Sequence, residues 1–255
     1  MYADIFARFK EPTPDQFDAY FYDFDKPCFD FSILPDFLQE LMPYPVSGSG
    51  THKYQWIIYQ LATRAKLAME CGVWEGGTTV PLALGLRKNG GRLVAIDVDL
   101  TRPALKQKVE RYGIGNVEFL QMNDLEFTRP EALGKFDLIY IDSLHDHEHV
   151  VKQLFHFDPY LRKGGIFVLH DIVAYNGVGL VDAKEDAGYT NASELVRVLK
   201  DGAGRHISEY PVLVPDEYCL FSPIHFAVQT FLARRKAYRF FKMLDWCGMG
   251  FIWKQ

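Results

Sequence analysis

Short apolar runs, each closed by polar residues, alternate with amphipathic stretches through the middle of the chain. Leu67-Ala68-Met69 leads into Glu70, and Arg92-Leu93-Val94-Ala95-Ile96 closes on Asp97. Val117–Met122 closes on Asn123-Asp124, Phe136–Ile141 on Asp142, and Ile166–Leu169 on His170-Asp171. Such runs read as strands, and Phe136–Asp142, apolar without alternation, reads as a central parallel strand covered on both faces. The spacing between them predicts helices over His52–Lys66, Val80–Leu86, Pro103–Tyr112 (Leu105 and Val109 inward) and Val150–Leu161, the last stopped by Lys163-Gly164-Gly165. Repeated strand–helix units predict an α/β fold whose ligand site lies at the carboxyl ends of the strands. Glu70, Asp97, Asp124, Asp142, His170 and Asp171 are expected on that edge.

The two ends of the chain depart from this rhythm. Residues 1–50 crowd aromatic side chains among prolines and acids and end on Ser47-Gly48-Ser49-Gly50. This extension either packs on the outside of the core or serves as a lid or dimer arm. Residues 51–255 read as one domain with a helical insertion at about 213–247. In it, Val173–Tyr189 reads as a functional loop, Asn191 as a cap for Ser193–Leu199, and His206–Val212 as a strand. Phe226–Trp246 reads as a basic, aromatic helix and Gly250–Lys254 as the last strand.

Composition narrows the class. The 255 residues, 48% hydrophobic and 24% charged, suit a well-buried α/β core. A formal net charge of −5 argues against a nucleic-acid partner. The four cysteines (Cys28, Cys71, Cys219, Cys247) lack metal-site spacing and read as reduced thiols. No apolar segment is long enough for a membrane span, and the aromatic N-terminus does not read as a signal peptide. A soluble, cytoplasmic protein is expected, and a homo-oligomer is left open.

Between the first predicted strand and helix lies Glu70-x-Gly72-x-x-x-Gly76-Gly77. Glycines there let a ligand lie against backbone at a helix start, although the spacing is not the dinucleotide form. The stretch resembles the first motif of class I S-adenosylmethionine-dependent methyltransferases. That resemblance, which covers roughly residues 52–200 and the last strand, implies a Rossmann-like, mostly parallel seven-stranded sheet with helices on both faces. It implies S-adenosyl-L-methionine over Glu70, Gly72, Gly76 and Gly77, with Asp97 on the ribose hydroxyls (Asp99 as fallback) and Asp124 on adenine. Asp124 also reads, without a ligand, as a helix cap before Leu125.

Asp142-Ser143-Leu144-His145, followed by a strand ending in His170-Asp171, resembles the small-molecule O-methyltransferases. These include enzymes acting on macrolide sugars and relatives that modify cephalosporins. The resemblance implies Asp142 and Asp171 as metal positions and His145 as general base. His170 stands where those enzymes carry Glu, which moves the preference from magnesium toward zinc, iron or manganese. The expected metal set is Asp142, His170 and Asp171, with His170-Asp171 shaping the pocket unaided as the alternative. The implied reaction is methyl transfer to a hydroxyl of a small molecule, a sugar or natural-product alcohol. Its rivals are a same-fold enzyme with other chemistry, such as hydroxylation, and a non-catalytic binding or assembly protein.

Overall fold

The computed structural model describes residues 55–176, 219–243 and 248–255. The expectations placed on the aromatic extension, on Asn191, on Ser193–Leu199 and on His206–Val212 lie outside the described residues. The elements are α1 (Gln55–Ala62), β1 (Leu67–Cys71), α2 (Thr79–Arg87), β2 (Arg92–Asp97), α3 (Pro103–Arg111), β3 (Val117–Gln121) and β4 (Phe136–Ile141). They continue as α4 (His147–Phe157), β5 (Leu161–His170), β6 (Val173–Asn176), β7 (Cys219–Phe221), α5 (Pro223–Arg234), β8 (Tyr238–Met243) and β9 (Met249–Lys254). Seven strands form a sheet of order β3-β2-β1-β4-β5-β9-β8, and β6 pairs with β7. The chain divides into two compact units, one with the described residues to Met122 plus Phe136–Leu138, the other with Asn123–Lys135 and Ile139–Gln255.

In the first unit β1, β2 and β3 run parallel, Leu67 beside Arg92 and Leu93 beside Val117. Residues 82–86 of α2 are buried, as the apolar run Leu82–Leu86 requires. A Cβ on Gly85 would stand 2.6 Å from the Tyr59 carbonyl oxygen and 2.7 Å from Ala62 Cβ. Glycine therefore lets α1 and α2 meet backbone to backbone. Tyr59, Val80, Ala83, Leu84 and Ile114 form an apolar cluster with Val109, Tyr112 and Val117 packed on it. One buried acid looks out of place in an apolar strand. Asp137 explains itself by accepting hydrogen bonds from the Lys66 and Leu67 amides at 2.7 and 3.0 Å, which fixes where β1 begins.

The second unit departs from the sequence reading in several places, one being Val173–Asn176, read as the start of a loop and here the strand β6 that pairs with β7. Helix α4 ends at Phe157, not Leu161, because Pro159 has no N–H to continue it. Lys163-Gly164-Gly165, expected as the stop, lies inside β5, with Gly164 in the left-handed region (φ 75°). The helix expected over Phe226–Trp246 ends at Arg234, and Tyr238–Met243 is instead a strand pairing antiparallel with β9, Tyr238 to Lys254 and Met243 to Met249. Tyr238 is buried and Arg239 exposed, and the aromatic residues of this segment suit a strand beside an open edge. Among the described residues no helix is long and apolar enough to cross a membrane.

Buried Asp158, just past α4, gathers the end of the chain. Its carboxylate accepts from Arg235 Nε at 2.6 Å, from Lys254 Nζ at 2.9 Å and from the Tyr238 hydroxyl. Burial alone would push this carboxyl up; the bonds from Tyr238, Lys254 and Arg235 outweigh it and hold it below the usual carboxylate range. Asp158→Ala is expected to lower stability by about 2–3 kcal/mol near neutral pH in urea unfolding. The folded carboxyl titrates lower than the unfolded one, so its contribution is present above the unfolded value of about 3.9 and is lost as pH falls through the folded value. The gap between wild type and variant should therefore close in acid.

Candidate active site

The glycine turn of the first unit is held from two sides. Gly72 and Gly76 take left-handed conformations (φ 92° and 78°), and a Cβ on Gly76 would stand 2.8 Å from Leu105 Cδ1. Glu70, fully buried in β1, accepts from the Thr79 hydroxyl at 2.7 Å and so joins strand to helix start. The Gly77 carbonyl accepts from Gln55 Nε2 at 3.0 Å. Asp97 Oδ2 accepts from the Val73 and Trp74 amides at 2.7 and 2.9 Å, and Oδ1 from the Asp99 amide at 2.9 Å. The structure thus brings Glu70, Gly72, Gly76, Gly77 and Asp97 into one turn, with Asp97 as its clamp.

Two neighbours of the turn escaped the sequence reading. Trp74 holds a left-handed conformation (φ 49°) rare for a bulky residue, is 61% exposed, and carries the Arg102 guanidinium 3.6 Å above its ring centre. Lys108 Nζ donates to the Glu75 carbonyl at 2.8 Å. The only available signal was an aromatic residue placed among glycines.

In the second unit Asp142, His145, His170 and Asp171 converge. His145 Nε2 lies 3.2 Å from Asp142 Oδ1 and 3.1 Å from Asp171 Oδ2; His170 Nδ1 lies 3.1 Å from Asp171 Oδ2 and 3.6 Å from Asp142 Oδ1. The Tyr140 hydroxyl donates to Asp142 Oδ2 at 3.3 Å, leaving Oδ1 to face the cluster. Asp171 is left-handed (φ 55°), and the Ser222 hydroxyl donates to its carbonyl. Burial works against charge on His170, but the Asp142 and Asp171 carboxylates win and raise its pKa to about 10. Burial likewise works against charge on Asp142, yet the His170 charge and the two imidazole hydrogen bonds hold it below the usual range. The hydrogen bond to Asp142 raises His145, against the opposing effect of burial. One ligand atom each from Asp142, His170 and Asp171 lies within 4.8 Å of the others, a donor set that fits a divalent cation.

Asp124 is engaged inside the second unit. Asn123, not Asp124, caps the short turn after β3, accepting from the Leu125 amide at 3.0 Å. The Asp124 carboxylate is buried and accepts from Ser143 Oγ at 2.7 Å and Gln153 Nε2 at 2.6 Å, with His149 Nε2 3.2 Å away. Both hydrogen bonds fall on Oδ2, and they give Asp124 an internal role within the second unit. Ser143 adjoins Asp142, so this network steadies the segment that carries Asp142 and His145. His147 and His149 do not act together: His147 Nε2 lies 3.4 Å from Thr230 Oγ1.

The fold and part of the sequence have known counterparts. Residues 69–172 match the family model described as a methyltransferase domain. No curated protein matches the sequence. A methyltransferase of Podospora anserina bound to S-adenosylhomocysteine shares the fold at TM-score 0.52 and 16% identity, over 87% of this chain and 89% of that one. An O-methyltransferase of Bacillus cereus in complex with S-adenosylhomocysteine does so at 0.54 and 16%, over 94% and 100%. An O-methyltransferase of Streptomyces achromogenes involved in tomaymycin synthesis, in complex with S-adenosylmethionine, does so at 0.51 and 16%, over 99% and 96%. The architecture is that of the class I methyltransferases.

The Asp124 network carries its own test. Asp124→Ala leaves Gln153, fully buried, without its carboxylate, and should cost about 2–3 kcal/mol in urea unfolding.

Proposed function

We infer that this chain, whose residues 69–172 are a methyltransferase domain, moves the methyl group of S-adenosylmethionine to a hydroxyl oxygen of a small molecule, a sugar or natural-product alcohol. The enzyme is an S-adenosylmethionine-dependent methyltransferase. The O-methyltransferase neighbours in complex with that cofactor or its product support oxygen as the acceptor. The observation that carries the reading is the close approach of two carboxylates and two imidazoles, Asp142, His145, His170 and Asp171. A protein that only binds or assembles needs no such buried charge.

When bound, the cofactor would supply a methyl group on a sulfonium: the acceptor oxygen's lone pair forms the new C–O bond while the S–C bond breaks and its electron pair stays on sulfur. Gly72, Gly76 and Gly77 give it a backbone surface free of side chains, with Glu70 holding the turn to α2. After its three amide bonds Asp97 keeps one acceptor site, on Oδ1, to take a ribose hydroxyl.

At the other end of the reaction the acceptor hydroxyl must lose its proton. Asp142 and Asp171 accept from His145 Nε2–H, which leaves the basic lone pair on Nδ1 and steadies the imidazolium that forms when Nδ1 takes the proton. A divalent ion on Asp142, His170 and Asp171 would lower the hydroxyl pKa and orient the acceptor.

Calorimetric titration with S-adenosylhomocysteine should give micromolar binding. Asp97→Ala should weaken it at least about thirtyfold, roughly 2 kcal/mol, whereas Asp124→Asn should leave it within about twofold. A folded wild type that binds neither the product nor S-adenosylmethionine would overturn the reading. Against a panel of hydroxylated acceptors, His145→Ala should slow labelled-methyl transfer by about 10²–10⁴-fold with product binding unchanged.

A further inference from the structure

Resting on that reading of the site, we infer that its ion is a transition metal bound through the His170 imidazole, in place of magnesium. Size does not distinguish the two. Bonds of about 2.1 Å put neighbouring ligand atoms about 3.0 Å apart at right angles and about 3.4 Å apart in a tetrahedron. The carboxylate–imidazole separations of Asp142 Oδ1 and Asp171 Oδ2 from His145 Nε2 and His170 Nδ1 run from 3.1 to 3.6 Å. The Asp142, His170 and Asp171 donors lie within 4.8 Å of one another, a span that a small divalent ion of either kind can bridge. The donor atoms decide instead. Magnesium sheds water reluctantly and takes oxygen, whereas imidazole nitrogen suits zinc, iron and manganese.

His170 is placed to be that donor. It is 3% exposed at the end of β5, and its Nδ1 faces both carboxylates rather than solvent. Asp171, the next residue, is held left-handed with its carbonyl tied to the Ser222 hydroxyl. A non-glycine residue kept in that conformation costs free energy, and here it directs Oδ2 to within 3.1 Å of both imidazoles. Tyr140 on Asp142 Oδ2 orients that carboxylate toward the same point. His145 Nε2 stands beside this set, close to both carboxylates, and its hydrogen bond to them leaves Nδ1 as the base.

The test uses the full chain, stripped with a chelator and titrated separately with Mg²⁺, Mn²⁺ and Zn²⁺ by calorimetry. Zn²⁺ or Mn²⁺ should bind at least about a hundredfold tighter than Mg²⁺. His170→Glu, which restores an all-oxygen set, should narrow that gap to about tenfold or less. Because this variant alters a buried position, a second measurement needs no mutation. In Co²⁺-loaded wild type, a solvent-exchangeable imidazole N–H should appear paramagnetically shifted in the proton spectrum, as His170 Nε2–H would when Nδ1 binds the ion. Magnesium binding as tightly as zinc, no divalent ion binding at all, or a Co²⁺ spectrum without a shifted imidazole proton would each overturn the inference. S-adenosylhomocysteine is titrated into the same samples. Metal binding without product binding would sink the methyltransferase reading and leave this one standing.

Discussion

Two carboxylates that leave water together need a positive charge between them, and the second unit is built to meet that need. Asp142 follows β4 and Asp171 follows β5, and both approach the same two imidazoles. Desolvation raises the cost of each negative charge, and mutual repulsion raises it further. His170 answers by holding a proton well above its ordinary range, to about 10. The same arrangement that makes a proton so hard to remove makes a small divalent cation welcome. The cation proposed here would meet the same electrostatics that keep the folded strand ends together.

The first unit solves a different problem, that of keeping a turn open for a ligand while fixing its shape. Glycines alone would leave it loose. Asp97 supplies the constraint by taking two consecutive turn amides on one oxygen, and Glu70 supplies another through Thr79. Both acids read from the sequence as ligand contacts, yet each also holds backbone in place. A substitution at Asp97 consequently removes the clamp on the turn, so its effect on binding of the proposed cofactor reports the turn's shape as well.

Much of this was legible in the residues because strand ends are local features. The apolar runs closing on Glu70, Asp97, Asp142 and His170-Asp171 became β1, β2, β4 and β5, and the Asp-x-x-His spacing brought Asp142 and His145 to 3.2 Å. What failed to be legible depended on partners distant in sequence. Asp124 offered no hint that Ser143 and Gln153 would claim its carboxylate, nor Asp158 that Arg235, Tyr238 and Lys254 would converge on it. Tyr238–Met243 reads from the sequence as part of one long helix, yet its aromatic residues suit a strand and β9 offers it an edge.

Ser222 shows how far the site's construction extends beyond the matched domain. The match to the methyltransferase-domain model ends at residue 172, and Ser222 lies fifty residues later, as N-cap of α5. Its hydroxyl donates to the Asp171 carbonyl while its amide donates to the Ile172 carbonyl at 3.0 Å. The left-handed turn at Asp171 is thus stabilised by a residue that no motif around β5 includes. A loop left to itself would relax Asp171 toward an ordinary conformation and swing its carboxylate away from the imidazoles. The late segment is therefore part of the machinery that keeps the cluster charged and closed, and its capping serine does so while also starting a helix.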